Sequence, residues 1–310
     1  MVGHLKGVLK QPRKVIVFVY YWWRFLVART SGGRTGTVCF APERPMIPYS
    51  IWKICHELGL ILTSDPTRRH RLAVRWEDAT VLSTPLPKQL RTDQDPLNTR
   101  CVDITKSAVE RAMVGAFGYG LAIDPATQVG RYVRKSEKNG AHDGVVLDTP
   151  TPAVPGYVYQ RLLDDLIDAD NVVDIRIPIL GRQLPFVYLR YRPLRERFTQ
   201  VHARVETAPT GRVLSADEVV RILVFADLMG LDFGELDGIR DRTDGRLYIV
   251  DANKTPVGPP RNMAWWPGVR AIRTLARAFE TEFLQAEVAA PDPVRAAAGV
   301  DSPLDQSPGG

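Results

Sequence analysis

Residues 230–256 read GLDFGELDGIRDRTDGRLYIVDANKTP. Two runs suited to strands, a first near Leu236 to Arg240 and a second at Leu247-Tyr248-Ile249-Val250, flank Asp244-Gly245, a dipeptide suited to a tight hairpin turn. Asp251 and Asn253 close the second run and alternate with Ala252, so both side chains fall on one face. Asp237, across the turn, reaches that face as well. Two carboxylates and an amide oxygen are the hard ligands magnesium prefers, with phosphates and water completing its octahedron. The plainer alternative makes Asp251 and Asn253 caps of the turn at Lys254-Thr255-Pro256, and Asp237 a solvated acid.

Working toward the amino terminus, Ser215-Ala216-Asp217-Glu218 is a capping box. It opens a helix whose buried face carries Val219, Ile222, Leu223, Phe225, Ala226 and Met229, and Gly230 stops it. From Gly130 the pattern is that of strands: residues 131–135, Val145-Val146-Leu147 and residues 157–162, then Val172 to Leu180 and Phe186 to Tyr191 as a hairpin about Gly181-Arg182-Gln183. These predict an antiparallel sheet. A helix from Ser107 to Phe117, capped by Asp103 or Thr105 and stopped by Gly118, precedes it.

Residues 37–76 read as a small α/β unit: strand Thr37 to Phe40, helix Ser50 to Leu58 ending at Gly59, strand Leu60 to Leu62 and strand Leu72 to Trp76. The Pro-, Asp- and Gln-rich stretch Pro85 to Pro96 links it to a new unit starting near Asn98. Val15 to Trp23 is apolar and aromatic between basic residues, and is too short for the roughly 20 residues of a spanning helix. It reads as an opening helix or strand packed on the core, or as an aromatic-basic element for a membrane interface or partner groove. Beyond Pro260 a helix is expected from about Val269 to Ala286, and the Ala-, Pro- and Ser-rich tail from Glu287 is expected to lack order.

A net charge of +6, from 41 Lys and Arg against 35 Asp and Glu, suits anionic substrates; no basic stripe or module points to nucleic acid. Three separated cysteines without a CxxC fit buried thiols in a reducing compartment, so a cytoplasmic location is expected. No nucleophile elbow, Walker loop or zinc spacing is present in the sequence. Those absences argue against a hydrolase triad, a P-loop enzyme and a zinc site.

Other candidates lie upstream. Lys135 ends a strand before the glycine-bearing loop through Gly144, where a point charge and backbone N–H groups can meet phosphate. An ordinary hairpin tip explains the same residues. Gln160, Arg161 and Leu162 leave a strand where an adenine edge fits between apolar walls, and Asp164 or Asp165 can reach a ribose hydroxyl; a plain strand end is the alternative. Arg176 lies on an inner sheet face, and the series Arg190, Arg192, Arg195, Arg197 and Arg204 offers guanidinium groups for a γ-phosphate or acyl phosphate.

In kind and order these pieces resemble the ATP-grasp superfamily, which includes glutathione synthetase and D-alanine:D-alanine ligase. The resemblance covers about Asn98 to Pro260 and is most specific at residues 230–256, with Asp237, Asp251 and Asn253 at the family's metal positions. Tyr132-Val133-Arg134-Lys135 resembles the strand of the nucleotide lysine, Lys106 the earlier basic residue, Tyr159-Gln160-Arg161-Leu162 the adenine hinge and Asp174-Ile175-Arg176 the strand after it. Gln160 and Asp251 stand where the family often has Glu, and Glu235 where many ligases carry Arg.

The resemblance implies an α/β (α+β) fold of two subdomains gripping ATP, at 96–156 and 157–286, after an N-terminal pre-grasp subdomain at 1–95, with a tail at 287–310. It implies ATP and Mg2+ as cofactors held by Lys106, Lys135, Gln160, Arg161, Leu162, Asp164 and the three metal positions, with Arg176 and Arg204 catalytic. The implied activity is a ligase that turns a substrate carboxylate into an acyl phosphate for attack by an amine or similar nucleophile. Its substrates are small-molecule carboxylates and amines or a peptide; nothing in the sequence specifies an oligomeric state. A non-catalytic nucleotide-binding or scaffold protein and a phosphotransferase stand as alternatives.

Overall fold

The computed structural model describes residues 12–31, 36–90, 95–199 and 202–285. The tail from Glu287 and residues 91–94 of the linker lie outside the described residues.

The opening apolar segment is a helix, α1 (Pro12–Thr30), which lays Val17, Phe18, Tyr20 and Tyr21 on the core. A parallel three-stranded sheet follows, in the order β2-β1-β3, from β1 (Thr37–Pro42), β2 (Ile61–Thr63) and β3 (Leu72–Trp76), with α2 (Ser50–Glu57) in the crossover. Strands buried on both faces read as continuous apolar runs, and β1 does so: Val38, Cys39 and Phe40 are fully buried. Cys39, Cys55 and Cys101 are all buried, free thiols.

Helix α3 (Lys106–Phe117) starts at Thr105, whose hydroxyl accepts the Ala108 N–H, and ends at Gly118 in the left-handed conformation. The second sheet is antiparallel, in the order β5-β4-β6, from β4 (Tyr132–Ser136), β5 (Val145–Leu147) and β6 (Tyr157–Arg161). The third has five antiparallel strands in the order β11-β10-β7-β8-β9: β7 (Asn171–Leu180), β8 (Val187–Pro193), β9 (Arg204–Ala208), β10 (Phe233–Arg240) and β11 (Leu247–Asn253). Between β9 and β10 run the short α4 (Thr210–Val213) and α5 (Ala216–Met229), the latter opened by both halves of the Ser215–Glu218 capping box.

One face of the five-stranded sheet carries Ile175, Ile177, Val187, Leu236, Leu247, Ile249 and Ala252 into a core shared with α3 and α5. The final helix, α6 (Trp265–Phe279), starts four residues earlier than expected, because Pro267 sits in its first turn, where a missing N–H costs nothing. It was expected with the C-terminal subdomain, yet it packs on α2 and shares a core with α1 and the parallel sheet. Among the described residues, no helix is long and apolar enough to cross a membrane.

Candidate functional site

Residues opposite each other in a ladder point to the same face, so register decides what meets what. One row across the five-stranded sheet runs Asp251, Asp237, Arg176, Tyr188; beside it lie Asn253, Glu235 and Pro178, and on the other side Asp174 with Arg190. A bulge makes this possible. Asp237 opposes Asp251 but Gly238 opposes Ile249, leaving Val250 without a partner. The extra residue reverses the side-chain alternation, so Leu247 and Ile249 enter the core while Asp251 points the other way.

On this polar face every acid has a basic partner. Arg176 holds Asp237 through two bonds, Nε to Oδ1 at 2.9 Å and Nη2 to Oδ2 at 3.1 Å, and its Nη1 lies 3.2 Å from Glu235. Arg190 Nη2 lies 2.9 Å from Asp237 Oδ2, and both Arg190 and Arg192 bond Asp174. Burial opposes the charge of Asp237, but Arg176 and Arg190 outweigh it and hold the carboxyl well below the usual carboxylate range. Glu235 goes the other way: burial pushes it up to about 7 despite Arg176. His202 is buried against this group, and burial and the neighbouring arginines push its imidazole down to about 3.

The small antiparallel sheet and α3 supply the opposite wall. Lys106, at the first position of α3, bonds Asp251 Oδ1 at 2.8 Å. Glu137, just after β4, accepts the Ser107 N–H at 3.0 Å and bonds the Ser107 hydroxyl, tying the lysine strand to the start of α3. Lys135 shares its face of β4 with Val133, and opposite them on β6 stand Val158 and Gln160. Burial first, then Lys106, lowers the Lys135 ammonium to about 8, while Asp251 and Asp165 draw it up. Gln160 is buried, and its Oε1 has no hydrogen-bond partner among the described residues. Leu162, two residues on, is half-buried. His142, in the β4–β5 loop with a positive φ of 53°, feels both Asp251 and Asp237, so that loop hangs over the acids.

Three of the expected residues fall elsewhere. Arg204 is opposite Tyr191 in the β8–β9 ladder, and alternation puts Tyr191 on the face away from Arg190 and Arg192. Arg204 therefore stacks on Tyr191 and pairs with Glu206 at 3.3 Å, largely exposed; Arg190 and Arg192 occupy the site in its stead. Arg161 alternates with Gln160, and its side chain goes to Asp241, Asp244 and Tyr248 at the β10–β11 turn, while its N–H bonds Leu121. The Asp164 carboxylate accepts the Leu166 N–H in a turn. Its neighbour Asp165 is the one that faces Lys135, buried against Arg197 at 2.5 Å and raised by burial to about 6.

Glu235 and Asp174 were thus given no site role from the sequence, although strand parity with Arg176 and Asp237 marks both; Asp165, Arg190, Arg192 and Arg197 were named there only beside Asp164 and Arg204. An open cleft of about 540 Å3, lined by Glu218, Arg221, Asp244 and Arg246, lies at the end of α3 and contains none of these groups. Asp165, Glu235, Asp237 and Lys135, buried and perturbed, lie instead between the two antiparallel sheets.

The residues present fit a magnesium nucleotide. Six cations (Lys106, Lys135, Arg176, Arg190, Arg192, Arg197) face five carboxylates (Asp165, Asp174, Glu235, Asp237, Asp251), of which Glu235 and Asp165 are pushed toward neutrality. Such a balance favours a polyanion. An orphaned buried amide at Gln160 beside Val133 and Val158 suits a flat base that carries donors and acceptors. Among the described residues no three His, Cys, Asp or Glu side chains converge on a metal position. Asn253 Oδ1 accepts the Thr255 N–H at 2.9 Å, as the turn-capping alternative expects, and keeps a second lone pair; with two carboxylates it suits an ion that draws most of its ligands from phosphate and water.

No family model matches the chain, and no curated protein matches it in sequence. Solved structures do. The ATP-grasp ligase PsnB complexed with a minimal precursor is similar at 17% identity over 58% of this chain and 60% of that one, with a TM-score of 0.37. The RimK-domain ATP-grasp protein from Sphaerobacter thermophilus DSM 20745 is similar over 80% of this chain and 99% of its own, at 12% identity and a TM-score of 0.47. The likeness is one of fold. The macrocyclase MdnC bound with precursor peptide MdnA, from Microcystis aeruginosa MRC, is similar at 14% identity over 82% of this chain and all of that one, with a TM-score of 0.44. The match to PsnB spans about 60% of the PsnB chain.

Proposed function

We propose that the chain is an ATP- and magnesium-dependent ligase that activates a substrate carboxylate as an acyl phosphate for attack by an amine or similar nucleophile. The observation that carries the proposal is the convergence of Asp237 and Asp251, paired in register on β10 and β11, with Lys106 on Asp251 and Lys135 alongside. In this reading Gln160 and Leu162 bind the base, and Lys106 and Lys135 orient the phosphates as point charges. Asp237, Asp251 and Asn253 hold the magnesium ion, which supplies charge neutralisation on the β- and γ-phosphates when bound. In the same reading Arg190 and Arg192 stabilise the charge that develops on the transferring phosphoryl group, and Arg176 positions Asp237. The carboxylate oxygen forms the new P–O bond as the β–γ bridging oxygen leaves with ADP. The nucleophile then displaces inorganic phosphate. No protein nucleophile is required.

A second reading, a nucleotide binder without turnover, is favoured by one observation: the Asp237 oxygens already accept three N–H bonds from Arg176 and Arg190. Trapping with hydroxylamine separates the two. The ligase reading expects ATP-dependent ADP release and hydroxamate from a panel of carboxylates, lost on Asp251→Ala. Nucleotide binding with neither product contradicts it, and a stable phosphorylated acceptor marks a phosphotransferase.

A further inference from the structure

The net charge of the chain is unevenly placed. The first 42 residues hold seven Lys and Arg and no Asp or Glu, so the remainder, at net −1, balances itself and the surplus belongs to the amino-terminal end. Helix α1, inside that stretch, is apolar on two sides. Val17, Phe18 and Tyr21 pack inward, while Ile16, Val19, Trp23 and Leu26, at spacings of three, four and three, form an outward stripe with exposures of 57, 59, 53 and 57%.

A second helix extends the stripe. Tyr20 of α1 stacks edge-on against Trp265 of α6 at 5.3 Å, and Arg273 of α6 bonds the Tyr20 hydroxyl at 3.0 Å. Trp266, 63% exposed, comes next, with exposed Arg270 one turn further on and Arg277 on the same side two turns beyond. Neither helix contains an acid. The nearby Glu57 is taken by Arg24 and Arg273, and Glu282 accepts the Arg182 N–H.

We infer that the face formed by α1 and α6 docks on an anionic phospholipid surface, with its tryptophans and aliphatic stripe at headgroup depth and its basic residues against the lipid charge. The charge settles the choice of occupant. A second copy would bring two acid-free basic helices together, whereas an anionic bilayer complements both the charge and the exposed indoles. The inference does not depend on the ligase reading.

The test is sedimentation of the full chain with large unilamellar vesicles, of phosphatidylcholine alone and with about one third phosphatidylglycerol, at low and physiological salt. Binding to the anionic vesicles, weaker by about tenfold or more on neutral ones and blue-shifting tryptophan emission, is expected. Trp23→Ala with Trp266→Ala, and separately Arg270→Glu with Arg277→Glu, should each lower the bound fraction by about tenfold while leaving the thermal transition in place. Absence of binding to anionic vesicles overturns the inference, as does binding that neither double variant weakens. Concentration-dependent dimerisation abolished by Val19→Asp overturns it too, because the stripe then belongs to a copy-to-copy interface.

Discussion

The two faces of the five-stranded sheet follow opposite rules. Ile175, Ile177, Leu236 and Ile249 on one face meet α3 and α5 with no polar side chain among them, a core that tolerates volume-conserving change. One residue away along the same strands, Asp174, Arg176, Glu235 and Asp237 form a half-buried ionic network in which each partner depends on the others. Buried ion pairs add little net stability over apolar residues of similar size, but removing one partner strands the rest. The sheet therefore owes its stability mainly to one face and carries its ionic network on the other, and Arg176 and Ile177, adjacent in sequence, sample the two rules.

Arg176→Met should have the largest effect. It leaves Glu235 and Asp237 buried without their shared guanidinium and should cost ~3–5 kcal/mol in urea unfolding. Adding Asp237→Asn should recover part of that loss, since Asp237, unlike Glu235, is held in its charged form and the substitution removes that charge; no recovery would mean the two faces are not distinct in kind.

Next is the titration of Lys135. Its ammonium, lowered to about 8, is charged below that pH and neutral above, so phosphate affinity is present at low pH and lost as pH rises through about 8. The affinity of an ATP analogue should fall about tenfold between pH 7 and pH 9, read by titration calorimetry, and Lys135→Ala should bind weakly with a flat profile over that range. A wild-type profile retained in the variant would move the titration to another group.

Ile177→Val, on the apolar face, should have the smallest effect, ~1 kcal/mol of stability with nucleotide affinity unchanged. A change in affinity as large as that of Arg176→Met would erase the distinction between the faces.

Much of this was legible in the sequence. The Asp244-Gly245 turn, the Ser215 capping box and the alternation of Asp251, Ala252 and Asn253 are local signals, and each has the structure it predicts. What local reading missed depends on register. Preferring Arg190 and Arg192 to Arg204 required knowing that β9 exists and which residue opposes Tyr191; β9, polar and at the sheet edge, has no apolar alternation to announce it. Asp164 and Asp165 differ only in the direction the chain takes after β6. The Val250 bulge has no local signal, yet it lets one strand bury Ile249 and present Asp251. The opening segment had two readings; α1 packs one side on the core as the first expects, and its other side is outward.

The central claim, that Asp237 and Asp251 on the polar face hold magnesium against a triphosphate, is tested most directly by calorimetric titration with a non-hydrolysable ATP analogue. The measurement runs with and without magnesium, on the wild type and on Asp251→Ala with matched thermal stability. The account predicts binding that needs magnesium in the wild type and loses that dependence in the variant. Equal, magnesium-dependent affinity in both proteins would contradict it.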